Sequence, residues 1–127
     1  MTTLGHEVAE PFDDRTPIYQ QIADRLRHAI LAGDLPEESQ VMSTTQYATT
    51  YRINPATAAK AMSALVDEGL LHKRRGVGMF VSPGARESLR TSRRETFWDD
   101  SVRPLIEAAQ ALDISTDQLI AYLKEQQ

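Results

Sequence analysis

The sequence has 127 residues, of which 41% are hydrophobic and 25% charged, a composition typical of a globular domain of ordinary size. It contains no cysteine, which excludes disulfides, a thiol nucleophile and a cysteine-based zinc site. No stretch approaches the roughly 20 apolar residues of a membrane span, and the polar N-terminus lacks the features of a signal peptide. We therefore expect a cytoplasmic protein with no membrane partner.

The net charge of −4 is unevenly distributed along the chain. Residues 52–94 contain nine lysines and arginines against three carboxylates, whereas the segments on either side are acidic. Attraction to phosphate depends on charge within about 10 Å, the Debye length at 0.1 M salt. A basic middle segment can therefore bind nucleic acid although the whole chain is acidic.

Two helices are predicted before residue 52. The first begins after Pro17 and ends at Gly33, and a polar loop over Asp34–Gln40 follows. Its apolar face comprises Ile18, Ile22, Leu26, Ala29 and Ile30. Ser43-Thr44-Thr45-Gln46 is a capping box, which predicts a short second helix through Tyr51. The side chains expected to be buried on it are Tyr47, Ala48 and Tyr51.

A third helix is predicted after the turn at Arg52-Ile53. Asn54 is a typical N-cap, Pro55 fits the first helical position, and Gly69 provides a left-handed C-terminal cap. The expected buried face comprises Ala58, Ala61, Met62, Leu65 and Val66. The opposite face comprises Ala56, Thr57, Lys60, Ser63 and Ala64. Such small side chains suit a helix that enters a major groove about 12 Å wide, although an ordinary solvent-exposed face is the alternative interpretation.

A basic hairpin is predicted directly after the third helix. Leu70–Arg75 and Met79–Val81 flank the turn Gly76-Val77-Gly78, and His72-Lys73-Arg74-Arg75 gives the first strand its positive charge. A helix-turn-helix followed by a cationic hairpin is typical of a winged helix-turn-helix that binds DNA. The fold class predicted is therefore α+β, with a winged helix over residues 15–82 after a flexible tail over residues 1–14.

Residues 83–127 are predicted to form a short all-α dimerisation segment. Pro104 interrupts its helical pattern and should cause a kink or break, and Ser115-Thr116-Asp117-Gln118 is a second capping box. The apolar residues expected at the dimer contact are Trp98, Val102, Leu105, Ala109, Leu112, Leu119, Ile120 and Leu123. So small a segment can scarcely bury this surface alone, which favours a two-fold homodimer over packing back on the winged domain of the same chain.

The sequence resembles the GntR family of bacterial transcription regulators. The matching pieces are PIYQQIADRLRHAILAGDL, the helix start at Ser43, INPATAAKAM, LVDEGLL and RRGVGMFV, and the INP-x-T-x-x-x-A form with a short C-terminal extension resembles the YtrA subfamily. The resemblance implies that Ser43, Asn54, Ala56, Thr57 and Lys60 face operator DNA, and that Arg74, Arg75 and Gly76 form the wing that reaches phosphates and the minor groove.

One departure from the family pattern affects the second helix. The family usually has Pro-Ser-x-Arg at its start, whereas this chain has Met42-Ser43-Thr44-Thr45, so the arginine expected at 45 is absent. We expect Arg52 to compensate in part. Residue pattern and resemblance together give the predicted DNA-binding set of Ser43, Thr45, Arg52, Asn54, Ala56, Thr57, Lys60, Lys73, Arg74, Arg75 and Gly76.

These residues support three classes of function to different degrees. The favoured one is a non-enzymatic, sequence-specific regulator of transcription, with repression favoured, that binds an inverted-repeat operator in double-stranded DNA as a homodimer. The alternative is a winged helix used for protein contact or as a nonspecific nucleoid-associated protein. An enzyme finds no support, because the sequence has no phosphate-binding loop and no catalytic constellation. The three histidines lack ligand spacing, so no metal or cofactor is expected, while a small-molecule effector of unknown identity stays open.

Overall fold

The computed structural model of the chain describes residues 12–127. Three helices lead into a small sheet: α1 spans Ile18–Ala32, α2 Thr44–Tyr51 and α3 Pro55–Asp67. The strands are β1 (Gln40–Val41), β2 (Leu71–Arg74) and β3 (Gly78–Val81). The chain continues with α4 (Ala85–Phe97), a π-helical turn (Trp98–Val102), α5 (Arg103–Ala111) and α6 (Thr116–Glu125). The predicted α+β class with a C-terminal helical segment is confirmed.

The helices begin at the residues that the capping signals predict. The Ser43 hydroxyl accepts the Gln46 N–H at 3.0 Å while the Gln46 side chain accepts the Ser43 N–H at 2.9 Å, a complete capping box. Ser115 and Gln118 repeat this arrangement at the start of α6. Asn54 caps α3 by accepting the Ala56 N–H at 2.8 Å, with Pro55 in the first helical position. Local hydrogen-bonding chemistry therefore fixes these three helix starts.

Gly69 ends α3 as predicted and turns the chain into β2. Its backbone has φ +80°, and its N–H donates to the Val66 carbonyl at 2.9 Å. The next N–H, of Leu70, donates to the Leu65 carbonyl, also at 2.9 Å, which completes a Schellman motif. The side chains of Leu65 and Leu70 are both buried. This closure fixes where the hairpin leaves the helix.

The sheet has three antiparallel strands in the order β1-β3-β2. The predicted hairpin is confirmed, with Leu71 opposite Val81 and Arg74 opposite Gly78. The predicted polar loop over Asp34–Gln40 is wrong at its end, because Gln40 pairs with Phe80 in the additional strand β1. A strand of two residues carries no alternating pattern, so only its pairing with β3 reveals it.

The core of the winged domain is apolar and is built from helices and sheet together. It includes Ile22, Leu26 and Ile30 of α1, Ala58, Met62 and Leu65 of α3, and Leu71 and Val81 of the sheet. Two predicted core positions are wrong, since Ile18 is 38% and Val66 37% exposed. Ile18 is the first residue of α1, and Val66 lies a further 100° around α3 from Leu65, at the edge of its buried face.

The chain forms two compact units, the first ending at Arg90 and the second comprising Thr91–Gln127. The first unit includes part of α4, because Ala85 and Leu89 are buried in its core. Phe12, inside the predicted tail, packs against the same core, while residues 1–11 lie outside the described residues. The predicted limits of 1–14, 15–82 and 83–127 therefore remain sequence-based predictions.

In the second unit, the disruption predicted at Pro104 takes the form of the π-helical turn. The Arg103 N–H donates to the Trp98 carbonyl five residues back, and Pro104 then lies in the first turn of α5. Such a position suits proline, whose missing N–H would otherwise be needed inside the helix. Arg103 also donates to the Asp99 carboxylate across the widened turn, at 2.9 Å.

Most of the apolar residues predicted at a dimer contact are exposed. Ala109 is buried and Val102 and Leu119 are half-buried. The exposed members are Trp98, Leu105, Leu112, Ile120 and Leu123. Trp98 is 65% exposed, and its ring meets that of Phe97 edge-on at 5.3 Å between centres. This unit therefore presents an extended apolar surface.

Candidate nucleic-acid interface

Helix α3 is held by its buried face and presents its other side to solvent. Ala58, Ala61, Met62 and Leu65 are buried in the core. On the opposite side, Ala56, Lys60 and Ser63 are exposed and Thr57 and Ala64 are half-buried. The exposed side of α3 is therefore narrow and carries mostly small side chains, a shape that a major groove accommodates.

An ion pair fastens the end of α3 to α1. Arg27 Nε donates to Glu68 Oε1 at 2.9 Å, and a second contact joins Arg27 Nη2 to Glu68 Oε2. The hydrogen bond and charge of Glu68, with those of Asp24, raise the pKa of Arg27 above its ordinary value against the opposing effect of burial. The pair helps to hold the two helices in one orientation.

Lys60 lies on the exposed side of α3 and contacts an aromatic ring of α1. Its Nζ is 4.1 Å from the centre of the Tyr19 ring, a cation–π geometry. The contact restricts the lysine without neutralising its charge. The role of Tyr19 was missed from the sequence, because no local pattern joins two residues on different helices.

Two predicted DNA-contacting residues, Ser43 and Asn54, already serve as helix caps. The Ser43 hydroxyl and the side-chain oxygen Oδ1 of Asn54 each accept a backbone N–H. The hydroxyl hydrogen of Ser43 and the amide NH₂ of Asn54 are still available as donors. Both side chains are exposed, as is Thr45 in the first turn of α2, so they can donate to a ligand while capping.

Arg52 forms the turn between α2 and α3. Its backbone is left-handed, with φ +56° and ψ +51°, and its N–H donates to the Ala48 carbonyl. The Ile53 N–H donates to the same carbonyl at 3.0 Å. The conformation is rare for a residue other than glycine or asparagine. It leaves the Arg52 side chain exposed beside the start of α3.

The hairpin tip is a tight turn that depends on glycine. The Val77 N–H donates to the Arg74 carbonyl at 2.9 Å, and Gly76 has φ +76°. Gln40 Nε2 donates to the Val77 carbonyl at 3.0 Å. A Cβ on Gly78, whose φ is +148°, would collide with this Gln40 amide. Strand β1 therefore supports the tip from the side, and the exposed Gly76 leaves its backbone approachable.

The cations of the hairpin differ in their surroundings. Arg74 Nη2 donates to Glu38 Oε1 at 2.9 Å, and its guanidinium lies 4.0 Å from the centre of the Phe80 ring. Lys73 and Arg75 are exposed and have no side-chain hydrogen bond or ion pair with any residue in the described part of the chain. Among the described residues, two of the predicted wing cations thus have no partner and one is already paired.

Every predicted DNA-binding residue except the half-buried Thr57 is exposed, and all lie on the α2–α3 segment or the hairpin. Within residues 12–127, no group of His, Cys, Asp or Glu has the arrangement needed to hold a metal ion. None of the helices in that range is long and apolar enough to cross a membrane.

Comparisons with known proteins place these features in one family. The profile of "Bacterial regulatory proteins, gntR family" matches residues 18–81, half of the chain. The transcriptional repressor YtrA of Bacillus subtilis is 29% identical over 87% of this chain and 84% of its own length. A GntR family transcriptional regulator from Listeria monocytogenes is similar in structure, with a TM-score of 0.71, 25% identity and coverage of 90% of this chain and 98% of its own.

A further neighbour shares the fold of the winged domain. The DNA-binding domain of AraR, solved in complex with operator ORX1, gives a TM-score of 0.53 at 24% identity and covers 56% of this chain and 92% of its own. At that identity the likeness concerns the fold alone. With the family match over α1 to β3 and the similarity to YtrA over most of both chains, the chain belongs to the GntR family of DNA-binding transcription regulators, which are not enzymes, and is YtrA-like within it.

Proposed function

We propose that this chain is a transcriptional repressor that binds an inverted-repeat operator as a homodimer in the cytoplasm. The observation that carries the proposal is the combination of a narrow, small-residue face on α3 with exposed cations at the hairpin tip. The first can enter a groove, and the second can contact the backbone beside it. Relatives named as repressors, YtrA among them, favour repression over activation.

Base reading is assigned to the N-terminal half of α3. Thr57 and the Asn54 amide can donate hydrogen bonds, and Lys60 can reach a guanine edge or a phosphate. Ala56 has only a methyl group, so it permits close approach and can contact a thymine methyl. Thr45 offers a hydroxyl where relatives usually have arginine, so Arg52 becomes the main cation beside the groove. Ser43 then serves mainly to orient α2.

Phosphate binding is assigned to the hairpin. Of the hairpin cations, Lys73 and Arg75 have no partner among the described residues, so they can pair with phosphates without first giving up an ion pair. Gly76 allows the backbone at the tip to approach the minor groove. These contacts are independent of base sequence and make binding strongly dependent on salt.

Dimerisation is assigned to the exposed apolar surface of the second unit. A cluster of exposed apolar side chains on one small unit favours a protein contact, and a two-fold axis would let the same surface cover itself. Two winged domains related by that axis would meet two half-sites in opposite orientation, which is why we propose an inverted repeat. A small-molecule effector would act by changing the spacing of the two winged domains of the dimer, and its identity stays open.

Equilibrium DNA binding tests this function directly. The full chain would be titrated into a labelled duplex from its own upstream region and into a shuffled duplex of equal length and composition, at several salt concentrations. Tighter binding to the upstream duplex at every salt concentration is expected. Equal affinity for both duplexes would instead favour a nonspecific nucleoid protein, and the absence of binding at low salt would favour a protein-interaction module.

A further inference from the structure

Glu38 has an unusual backbone conformation for its residue type. Its φ is +67°, in the left-handed region that side chains with a Cβ rarely adopt. The position is fixed by the sheet, because the Glu38 N–H donates to the Val81 carbonyl at 2.8 Å and the Ser39 carbonyl accepts the Val81 N–H at 2.9 Å. Glycine would suit this position better on conformational grounds. A strained residue that is not glycine invites a functional explanation.

The side chain of Glu38 reaches the cationic strand of the wing. Its Oε1 lies 2.9 Å from Arg74 Nη2 and 3.8 Å from His72 Nε2. The Arg74 guanidinium is also held against the Phe80 ring. Glu38 and Arg74 are 36 residues apart in sequence, and the pairing of β1 and β2 with β3 brings them together. The carboxylate therefore neutralises one wing cation and fixes its direction.

We propose that Glu38 lowers the affinity of the wing for the DNA backbone by pairing with Arg74, so that Lys73 and Arg75 make the phosphate contacts. The inference rests on the proposed DNA-binding function. A phosphate that approaches Arg74 must compete with a carboxylate that is already in place, whereas Arg75 has no such competitor among residues 12–127. Since phosphate contacts carry no base information, Glu38 should affect binding to operator and random DNA alike.

The test compares two charge-removing variants of neighbouring residues. Glu38→Gln releases Arg74, whereas Glu37→Gln removes the same charge from an exposed residue that has no ion pair with any described residue. One additional phosphate contact should steepen the plot of log K against log salt by about 0.9. The gain of Glu38→Gln over wild type should then be about 3.5-fold larger at 50 mM than at 200 mM salt. Glu37→Gln should leave the slope unchanged.

Two further variants separate the pairing from general charge and from folding effects. Adding Arg74→Ala to Glu38→Gln should return the salt slope to that of wild type, because the released cation is then absent. Glu38→Gly, which also relieves the positive φ, should steepen the slope as Glu38→Gln does and melt at no lower temperature than wild type. Agreement of all four variants with these expectations supports the assignment.

Two other outcomes would contradict the proposed role of Glu38. Equal slopes for Glu37→Gln and Glu38→Gln would mean that only overall charge matters. Weaker binding by a folded Glu38→Gln variant would mean that the carboxylate presents Arg74 to DNA instead of withholding it. In both cases the wild-type chain still binds DNA, so the proposed function stands. Failure of the wild-type chain to bind any duplex at low salt would overturn both.

Discussion

Replacing Trp98 by alanine should dissociate the proposed homodimer without unfolding either unit. Trp98 is 65% exposed in the single chain and is the only tryptophan in the sequence. A tryptophan can bury about 250 Å², so about 160 Å² of this side chain is free to be covered. At about 25 cal/mol per Å², covering half of that area contributes about 2 kcal/mol per protomer.

Two-fold symmetry doubles this contribution, because both protomers lose the same residue. Trp98→Ala should therefore weaken the dimer by about 4 kcal/mol, which corresponds to about a thousandfold in Kd. Sedimentation velocity across a dilution series would measure the change. In wild type, the emission of the single tryptophan should also shift to the blue as concentration rises and the ring leaves water.

Tyr122→Ala provides a matched control. Tyr122 is a similarly exposed aromatic residue, at 62%, in the same unit, but it lies outside the predicted contact set. Its removal should change Kd less than tenfold. A wild-type chain that sediments as a monomer at micromolar concentration would contradict the proposed dimer. A Trp98→Ala variant that dimerises as tightly as wild type would contradict the placement of Trp98 in the dimer contact.

The remaining predictions concern the winged domain. Arg75→Ala should reduce the salt slope of DNA binding by about 0.9, whereas Arg74→Ala should change it little. A larger loss of slope for Arg74→Ala than for Arg75→Ala would mean that Arg74 is the arginine that contacts phosphate. Thr57→Ala should cost about 1–3 kcal/mol on the operator and less on random DNA, and equal losses on both would restrict Thr57 to positioning. Asn54→Ala should lower the free energy of unfolding by about 1 kcal/mol through loss of the cap, measurable by urea denaturation, and an unchanged midpoint would contradict that role.

The features predicted from sequence are those with a local cause. Helix starts and ends depend on residues within a few positions of one another, so a short stretch of sequence is enough to predict them. This holds for the caps at Ser43, Asn54 and Ser115 and for the helix end at Gly69. The hairpin and its basic strand were equally readable, because the turn glycines and the charges are consecutive. The same local signals supported the resemblance to the GntR family, which the family match confirms.

The features that were missed depend on contacts between distant segments. Strand β1 exists because β3 offers it a partner, and its two residues carry no pattern of their own. The pairing of Arg74 with Glu38 and the contact of Lys60 with Tyr19 likewise require the tertiary fold. The sequence could identify Arg74 and Arg75 as wing cations, but only the fold distinguishes Arg74, which is paired with Glu38, from Arg75, which has no partner within residues 12–127.

The sequence predicted where the helix is interrupted, near Pro104, but not which backbone conformation the interruption takes. A proline inside a helical pattern predicts a lost hydrogen bond, and several backbone solutions can absorb that loss. The chain uses a π-helical turn over Trp98–Val102, which places Pro104 in the first turn of α5. Which solution is adopted depends on the surrounding helix packing, so the residue pattern alone does not select it.

A hydroxyl-radical footprint of the full chain on its own upstream DNA tests the central claim most directly. A homodimer on an inverted repeat should protect two half-sites of inverted sequence, with centres about one helical turn of 10–10.5 base pairs, or a small multiple, apart. Trp98→Ala at the same concentration should lose this symmetric pattern, because linked binding of the second half-site is lost. A single protected half-site for wild type, or uniform protection along the fragment, would contradict binding of an inverted repeat by a homodimer.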